Sequence, residues 1–523
     1  MATEIQIGAR QIVVKNPATG EVLREFTCAL PAEVSEAVSR AQDAQPAWEK
    51  VSLRDRLSVV KQFQRLLSER KERIARVITS ESGKPYAEAL LTEILVVLDT
   101  ARFLLNESHD ILRETPVTHG SLAAKAKRGR LIREPHGVLG IISPWNYPFA
   151  IPASQFLAAL VAGNAVILKP SELTPLSALE LSSLIRDAGF PENIFQLVLG
   201  DSATGAALVE SDIDKLIFTG AVATGKRIAQ TAAARLLPVV LELGGKDPMI
   251  VLDDANVEVA SSGAVWGAFV NAGQACLSLE RCYVHRSIYE SFVSRCAEKA
   301  KQLQLGNGMD SATDIGPLIH ERQLRTVEQH VEDARSRGAR ILTGGKRMQS
   351  LGANFYSPTV IADVTHEMLI MREESFGPVL PIMAVDSDDE VIRLANDSEY
   401  GLAASVWTSN RSRGERIARR IKAGTVMVND AVSCYGISEA PHGGIKASGI
   451  GHTHGKLGLG EMVRVKYLDV DSLPGIKKPW WYGYGASMSK AAEAFLDFQF
   501  AGKMERRLIG GICSFPLISR RKL

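Results

Sequence analysis

One thiol and one carboxylate with the potential for catalysis lie in glycine-containing segments near the middle of the chain. Cys276 lies in 271–278, NAGQACLS, and Glu242 lies thirty-four residues earlier in 241–246, LELGGK. A thiolate is a strong nucleophile and a carboxylate is a base. We therefore interpret the two as nucleophile and base, with Glu242 serving the thiol or a water in a later step. The alternative is a small buried cysteine and a solvated glutamate.

Asn146 is a candidate donor to a developing oxyanion. It lies in 143–149, SPWNYPF, directly after the pattern of a buried strand. Two prolines restrict this loop, and a side-chain amide held at a strand end is suited to stabilising an oxyanion. The alternative is a turn asparagine with a purely structural role.

Three further strand ends carry groups that suit a dinucleotide. Lys169 and Glu172, in LKPSE, could hold two ribose hydroxyls. The segment 218–226, FTGAVATGK, opens a helix whose N–H groups could hold a phosphate, although its G-x-x-x-x-G spacing is weak evidence alone. The segment 373–378, EESFGP, offers a carboxylate and an aromatic ring for a second ribose and a base. Three such strand ends together indicate a dinucleotide site.

Composition restricts the class of protein. The 523 residues exceed what one hydrophobic core usually holds and predict two or three domains. The net charge of +2 gives no indication of nucleic-acid binding. The cysteines include no C-x-x-C, which predicts neither a disulfide framework nor a metal site and favours a reducing, cytoplasmic location. Residues 1–10 lack the features of a signal peptide, and no apolar stretch is long enough to span a bilayer.

The elements that must position these groups follow an α/β pattern. A hairpin is predicted at 12–26, helices at 31–107 with a break at 82–85, and a basic hairpin at 115–133, solvated rather than ligand-binding. Alternation of strands and helices then predicts open parallel sheets, with ligands at the carboxyl ends of the strands. The main predicted strands are 137–142, 165–169, 194–198, 215–219, 249–252, 281–285, 424–428 and 462–468.

The tail after Pro474 differs from the rest of the chain. It contains PWWYGY at 479–484, an amphipathic stretch at 488–508 and an apolar run at 509–518. Nine of its residues are Lys or Arg and three are Asp or Glu. This combination is typical of a membrane-surface anchor. The alternative is a tail that docks on its own enzyme or on a dimer partner.

Together these ordered motifs resemble the NAD(P)-dependent aldehyde dehydrogenase superfamily over about residues 10–470. The resemblance implies an α/β fold with a Rossmann-type cofactor domain, an α/β catalytic domain and a small oligomerisation sheet, in a homodimer or homotetramer. The implied parts are an NAD-binding domain at 1–113 and 134–244, a catalytic domain at 245–455, an oligomerisation sheet at 114–133 and 456–474, and a tail at 475–523.

The resemblance also implies a role for each site residue. Cys276 would form a thiohemiacetal with the aldehyde, and hydride transfer to the nicotinamide would leave a thioester. Asn146 and the Cys276 backbone N–H would stabilise the oxyanion, and Glu242 would activate the hydrolytic water. The implied cofactor contacts are Trp145, Lys169, Ser171, Glu172, Gly220, Gly225, Glu374 and Phe376.

Three departures from the family pattern stand out. Ala221 replaces the serine that commonly follows Phe-Thr-Gly, which removes one side-chain contact to phosphate. His442 stands where the family often has phenylalanine, and we interpret it as a packing variant rather than a catalytic residue. The tail lies outside the common core and is similar in kind to the membrane-associated extension of fatty aldehyde dehydrogenases.

Cofactor and substrate preferences follow from charge. Glu172 favours NAD, because a carboxylate would repel the 2′-phosphate of NADP, although nearby Lys169 leaves dual use open. No arginine adjoins Cys276, since Arg281 falls in the next predicted strand, so an apolar medium- or long-chain or apocarotenoid-type aldehyde is favoured over a small semialdehyde such as succinate semialdehyde. The QACLSLER context is loosely similar to diapolycopene-dialdehyde dehydrogenases. The expected entry loops lie near Phe149 and at 266–278 and 431–440, with Trp266, Phe269, Val270, Leu277, Leu279 and Tyr435.

Three other functions are less consistent with the sequence than aldehyde oxidation. A CoA-acylating dehydrogenase often lacks the glutamate equivalent to Glu242, which is present here. A structural or binding protein on the same fold would not need Cys276, Glu242 and Asn146 together. A cysteine hydrolase would not need ribose-type motifs at several strand ends.

Overall fold

The computed structural model describes residues 10–478 and 480–519. The predictions that rest on the N-terminal residues 1–9, on Pro479 and on the basic end 520–523 lie outside these described residues. Two compact units are present: residues 10–113 with 133–465, and residues 114–132 with 466–519.

The β-strands of the described residues are numbered in chain order. They are β1 Gln11–Lys15, β2 Val22–Thr27, β3 Thr115–Val117, β4 Lys127–Pro135, β5 Val138–Ile142, β6 Ala165–Lys169, β7 Phe195–Leu197, β8 Lys215–Thr219, β9 Val239–Glu242, β10 Asp247–Val251, β11 Leu279–His285, β12 Arg340–Thr343, β13 Thr359–Ala362, β14 Val379–Val385, β15 Ala403–Trp407, β16 Thr425–Val428, β17 Gly449–Ile450 and β18 Val463–Asp471.

The α-helices of the described residues are numbered in the same way. They are α1 Pro31–Glu49, α2 Leu53–Ser82, α3 Tyr86–Glu88, α4 Leu95–Leu112, α5 Ala150–Val161, α6 Pro175–Ala188, α7 Ser202–Glu210, α8 Val222–Ala233, α9 Val257–Phe269, α10 Tyr289–Gln302, α11 Glu321–Ser336, α12 Leu369–Arg372, α13 Asp388–Asn396, α14 Arg411–Ala418, α15 Gly455–Glu461, α16 Ala486–Phe500 and α17 Met504–Ser519. A π-helical turn, Ala89–Ile94, joins α3 to α4.

The first unit contains two large sheets that position the site. The six-stranded sheet has the order β17-β9-β8-β5-β6-β7, and its strands are parallel except β17. The seven-stranded sheet has the order β12-β13-β14-β11-β10-β15-β16, and its strands are parallel except β12. Strands β5, β6, β10 and β15 are buried along their whole length, which explains their continuous apolar sequences. The predicted α/β class and parallel sheets are confirmed.

The second unit contains a small sheet and a helical pair. The sheet has the order β18-β4-β3, so the predicted hairpin at 115–133 is confirmed. The predicted amphipathic stretch at 488–508 is two helices, α16 and α17, rather than one. The two helices pack closely at Gly510. A Cβ atom there would lie 2.4 Å from the Ala494 carbonyl oxygen, so the approach requires a glycine. None of the helices in the described ranges combines the length and apolarity that crossing a bilayer requires.

The helix predicted at 86–105 differs from the observed one in two ways. It continues to Leu112, and it contains the π-helical turn Ala89–Ile94. The preceding break is confirmed: Gly83 ends α2 with a φ of 81°. A side chain there would be strained by the left-handed backbone and would lie 2.6 Å from Pro317 Cγ. This tight turn delivers Lys84 to the interior, where it is fully buried.

Candidate active site

The carboxyl ends of the central strands meet at one edge of the six-stranded sheet. Strand β8 ends at Thr219, directly opposite Glu242 at the end of β9. Strand β5 ends at Ile142, between Phe218 and Lys169 of its neighbours. Parallel register therefore brings the separate motifs of the sequence to one edge.

A cavity of about 240 Å³ lies at this edge and collects most of the predicted site residues. The predicted residues that line it are Trp145, Asn146, Gly220, Glu242, Cys276, Glu374 and Phe376. The Trp145 and Phe376 rings meet edge-on, with centroids 5.4 Å apart. The cavity is thus bordered by a thiol, an amide and two carboxylates, with two aromatic rings on one wall.

A second cavity, of about 590 Å³, holds three of the remaining predicted cofactor contacts. Lys169, Ser171 and Glu172 line it, and it shares Trp145, Gly220 and Arg322 with the first cavity. Lys169 Nζ donates to Glu172 Oε2 over 3.3 Å. Gly225 does not line either cavity: a Cβ atom there would lie 2.5 Å from Leu243 Cδ2, so this glycine lets α8 approach the end of β9. Arg322 was not predicted, because its segment carries no motif.

The loop before Cys276 has an unusual backbone. Asn271, Ala272 and Gly273 all adopt positive φ angles, of 53°, 56° and 71°. A side chain at Gly273 would collide with the Gly377 carbonyl oxygen, 2.0 Å from the Cβ position. Consecutive left-handed residues cost free energy and persist where surrounding contacts impose them. The consequence is a sharp turn that presents Cys276 at the cavity wall.

The thiol of Cys276 is protonated in this environment. Burial raises its pKa well above the ordinary value, and the carboxylates of Asp247, Glu374 and Glu242 raise it further. Because the thiolate is the nucleophilic form, the thiol needs a nearby proton acceptor.

Asn146 is held by hydrogen bonds to its side chain and to its backbone carbonyl. Its side-chain Nδ2 donates to the Gln274 carbonyl over 3.0 Å. Its backbone carbonyl accepts from Lys84 Nζ at 2.9 Å and from Asn271 Nδ2 at 3.0 Å. The amide loop and the cysteine loop are therefore tied together two residues before the thiol.

Lys84 and Glu93 form a fully buried ion pair beneath this loop, with Nζ and Oε1 2.6 Å apart. Lys84 Nζ also lies 4.0 Å from the centre of the Tyr147 ring. Glu93 Oε2 accepts from the backbone N–H groups of Phe149 and Ala150, at the start of α5. The pair was not predicted, since a lysine in SGKP and a glutamate in a helix are usually solvated.

The π-helical turn supports a second carboxylate on the same segment. Glu88, five residues before Glu93, accepts from the Asn271 backbone N–H over 3.0 Å. Burial raises the pKa of Glu88 to about 7, against a lowering by Lys84. One short segment thus contacts both the amide loop and the cysteine loop, and π-helical turns are frequent at functional sites.

Glu374 and Phe376 are positioned by a second buried pair. Lys246 Nζ donates to Glu280 Oε2 over 2.6 Å, and Glu280 accepts from the backbone N–H groups of Ser375 and Phe376. Glu374 accepts from the Gly245 N–H over 3.0 Å. Burial and the nearby Glu280 raise the pKa of Glu374 to about 8. Neither Lys246 nor Glu280 was predicted from the sequence.

A third cavity, of about 250 Å³, reaches Cys276 along a separate set of residues, most of them apolar. Of the predicted entry residues, Trp266, Val270, Leu277 and Tyr435 line it. Phe269 and Leu279 do not, because they pack into the core of the seven-stranded sheet, and Phe149 is fully buried. The residues that line it are Leu91, Thr92, Val96, Tyr147, Ile151, Trp266, Val270, Ala275, Cys276, Leu277, Val432, Ser433, Tyr435 and Gly436.

Arg281 cannot supply a cation to this cavity. It lies within β11, as expected, and is 1% exposed. Its guanidinium donates to the backbone carbonyls of Lys246, Leu394 and Ala395. The described residues that line the cavity include no charged side chain except the thiol when it ionises.

Comparison with known proteins identifies the relatives of this chain. The model of the family described as Aldehyde dehydrogenase family matches residues 5–468. The 4,4′-diapolycopene aldehyde oxidase of Methylomonas sp is 38% identical over 493 residues, 93% of this chain and 91% of the relative. The mitochondrial succinate-semialdehyde dehydrogenase of Oryza sativa subsp. japonica is 37% identical over 467 residues, 89% of this chain and 87% of the relative.

A solved structure agrees with these relatives. The NAD+ complex of aldehyde dehydrogenase from Bacillus cereus has a TM-score of 0.85 and 37% sequence identity to this chain. The match covers 88% of this chain and 93% of that structure.

The buried pair under the amide loop leads to a prediction with a matched control. Glu93→Gln leaves the buried Lys84 ammonium without a countercharge, so we expect a loss of about 3–5 kcal/mol of stability. Glu88→Gln keeps an acceptor for the Asn271 N–H, so we expect a loss below about 1.5 kcal/mol. Midpoints of thermal unfolding compare the two variants, and equal midpoints would show that the ion pair does not support the loop.

Proposed function

The chain belongs to the aldehyde dehydrogenase family, and we propose that it oxidises an aldehyde to the carboxylic acid with NAD as hydride acceptor. One observation carries this proposal: Cys276, Glu242 and Asn146 border a single cavity that shares its wall with the cavity of Lys169 and Glu172. Nucleophile, base, amide donor and a dinucleotide-sized cleft are what the reaction requires.

The chain's own residues would act in two stages. In the first, the Cys276 thiol gives its proton to solvent and Sγ adds to the carbonyl carbon, giving a thiohemiacetal whose oxyanion accepts from Asn146 Nδ2 and the Cys276 N–H. Bound NAD would supply the acceptor for the hydride, whose departure from the thiohemiacetal leaves a thioester on Cys276. In the second, Glu242 takes a proton from a water whose oxygen attacks the thioester carbon. The C–S bond then breaks, the Cys276 thiolate takes the proton from Glu242, and the carboxylic acid leaves.

The cofactor cleft fits NAD better than NADP. Lys169 and Glu172 lie together on the wall of the larger cavity, hydrogen-bonded to each other and suited to two ribose hydroxyls. A 2′-phosphate would meet the Glu172 carboxylate at a cost of about 1–4 kcal/mol at moderate dielectric. The Glu172 side chain is 43% exposed, so solvent moves this cost toward the low end. We therefore expect NADP to be used with lower efficiency, by about tenfold.

Each part of the chain also receives a role in this proposal. We assign 1–113 and 134–244 to NAD binding, 245–455 to catalysis, and 114–133 with 456–474 to oligomerisation. Within the cofactor part, Ser171, Gly220 and the start of α8 would lie near the adenosine and pyrophosphate. Trp145, Glu374 and Phe376 would hold the nicotinamide half. Gly225 would act indirectly, by its packing against Leu243.

The substrate is an apolar medium- or long-chain or apocarotenoid-type aldehyde in this proposal. The apolar cavity that leads to Cys276 offers Leu277, Val270 and Trp266 but no lysine or arginine among the described residues. A second carboxylate, as in succinate semialdehyde, would lose water there without gaining a cation, which is costly. An added methylene would gain about 0.8 kcal/mol, or roughly fourfold in kcat/KM.

An aldehyde series tests the activity and the substrate class together. Wild-type protein is assayed by NADH absorbance with straight-chain aldehydes of increasing length and with succinate semialdehyde, using NAD and NADP in parallel. We expect kcat/KM to rise by roughly fourfold per methylene until the cavity is filled. Cys276→Ala should lose turnover with every aldehyde while keeping the wild-type unfolding midpoint.

Two results would contradict this account. Normal turnover by the Cys276→Ala protein would exclude the proposed nucleophile. A preference for succinate semialdehyde over long aldehydes would exclude the apolar substrate class and favour the small semialdehyde instead, as in the rice relative named above.

The small sheet suits self-association into a homodimer or homotetramer. Strand β18 lies at the edge of the three-stranded sheet and exposes Val465, Tyr467 and Val470. An exposed apolar edge strand tends to pair with another chain.

The tail suits the surface of an anionic membrane. Helices α16 and α17 pack through Gly510 and Gly511, with Gly511 facing the Phe498 ring. The tail leaves large apolar side chains exposed: Trp480, Trp481, Tyr482, Tyr484, Leu496, Phe500, Met504, Leu508, Ile509 and Ile512. Aromatic residues and nearby Lys and Arg favour a bilayer interface, and no single described helix need cross it.

Vesicle binding tests the tail in the full-length chain. We expect wild-type protein to sediment with phosphatidylglycerol vesicles more strongly than with phosphatidylcholine vesicles, and less at high salt. The double variant Phe500→Asp/Leu508→Asp should bind at least tenfold more weakly. The control Gln499→Ser, next to Phe500 on α16, should bind as wild type. Equal sedimentation of all three proteins would exclude the membrane, and a change in mass by light scattering alone would indicate docking between copies of the chain.

A further inference from the structure

Glu242 has a titratable neighbour that the family pattern does not supply. His442 stands at a position where phenylalanine is common, and its Nε2 atom lies 3.5 Å from Glu242 Oε2. Both side chains are about 95% buried. Neither carboxylate oxygen of Glu242 has a well-formed hydrogen bond within the described part of the chain, and the nearby Thr453 backbone N–H only partly offsets the rise that burial causes in the pKa of Glu242. A buried carboxylate with so few donors is costly, and the His442 ring at 3.5 Å lies just outside hydrogen-bonding geometry, close enough to supply a donor after a small movement.

The backbone holds His442 firmly in this place. Its N–H donates to the Thr453 carbonyl and its carbonyl accepts from the Thr453 N–H, both over 2.7 Å. Its ring meets the Tyr435 ring edge-on, with centroids 4.9 Å apart. A phenylalanine would keep this packing, but it would present no donor to Glu242. Packing alone therefore does not account for an imidazole.

His442 is neutral near pH 7. Burial and the nearby His452 lower the pKa of His442 to about 4. The other groups that face it are Glu242 on β9, Tyr435 on the 433–436 turn and His454, whose pKa burial lowers to about 3. A neutral imidazole carries one N–H donor and one acceptor nitrogen. It can therefore donate to an ionised carboxylate without adding a second charge to the site.

A very small cavity lies between the base and the nucleophile. Its volume is about 10 Å³, about one water molecule, and Glu242, His442, Tyr435 and Cys276 border it. The Tyr435 hydroxyl is buried and has no hydrogen-bond partner among the described residues. Polar groups thus converge on a space of one water next to the thiol.

We propose that His442 is a positioning residue for thioester hydrolysis, and this inference rests on the proposed function. His442 Nε2–H donates to Glu242 Oε2, which turns Oε1 toward one water in the small cavity beside Cys276. The water proton passes to Oε1, the water oxygen bonds to the thioester carbon, and the C–S bond breaks. The leaving thiolate then takes the proton from Glu242, which restores thiol and carboxylate and releases the carboxylic acid.

The test measures hydrolysis of the thioester separately from its formation. Enzyme is mixed with NAD and a limiting long-chain aldehyde, quenched in acid at intervals, and weighed intact by mass spectrometry to follow the acyl group on the protein. In His442→Phe, which keeps the aromatic packing, we expect thioester decay at least tenfold slower, with formation unchanged within about twofold. The pH midpoint of decay should move upward, because a carboxylate that loses a donor binds its proton more tightly.

Two variants distinguish positioning from packing. His442→Gln places an amide donor near the position of Nε2, so decay should return to within about threefold of wild type. His454→Asn alters the other imidazole that packs against Tyr435. His454 forms no ion pair with Glu242 among the described residues, and its backbone, at φ 60° and ψ 162°, is strained for either side chain. We expect decay within threefold of wild type there.

The outcomes separate this inference from the proposed function. The inference would be overturned if His442→Phe had the thioester decay rate and the pH midpoint of the wild-type protein. It would also be overturned if His442→Phe and His442→Gln slowed decay equally with no shift in the pH midpoint. If the wild-type protein formed neither NADH nor a thioester with any aldehyde, the proposed function itself would fail.

Discussion

A buried ion pair between Lys84 and Glu93 supports the geometry on which the chemistry depends. Both side chains are fully buried, and such a pair is stable only when its remaining donors and acceptors are also satisfied. Here they are satisfied by the Asn146 carbonyl and by the N–H groups of Phe149 and Ala150. The ion pair therefore fixes the backbone on both sides of the amide that faces the cavity.

Burial from solvent also changes the chemistry of the acidic groups at the site. Burial raises the pKa of Glu242, of Glu374 and of the Cys276 thiol. A carboxylate with a raised pKa is a stronger base, so a buried and ionised Glu242 can accept a proton from a water that a solvated glutamate would leave in place. The cost of burying these groups is offset locally by fixed donors, such as the Gly245 N–H on Glu374. Glu242 has only the Thr453 backbone N–H nearby, in poor geometry, which makes the position of His442 significant.

The sequence predicts the parts of this structure that depend on strand ends. Glu242, Lys169 and Asn146 each follow a run of buried strand residues, and parallel strands bring their carboxyl ends to one edge. The α/β fold, the parallel sheets and the N-terminal hairpin follow from apolar periodicity in the same way. Glu242 could be singled out because leucines flank it and two glycines follow, unlike an exposed strand, and Cys276 because small residues precede it.

What the sequence does not predict depends on three-dimensional packing. Nothing in SGKP distinguishes a buried Lys84 from a solvated one, because its partner Glu93 lies on another helical segment. The π-helical turn keeps an apolar pattern close to 3.6 residues and leaves no signal in it. Phe269 and Leu279 are as apolar as Leu277, but they face the sheet core instead of the cavity. The closeness of His442 to Glu242 joins positions two hundred residues apart, which no local pattern encodes.

The central claim is that Cys276 carries the substrate as a thioester that Glu242 then hydrolyses. It is tested most directly in the Glu242→Gln protein, mixed with NAD and a long-chain aldehyde and then digested for peptide mass spectrometry. The account predicts one NADH formed per active site and the acyl mass on the peptide that contains Cys276. Continued turnover without acyl mass on that peptide, or acyl mass on another residue, would contradict it.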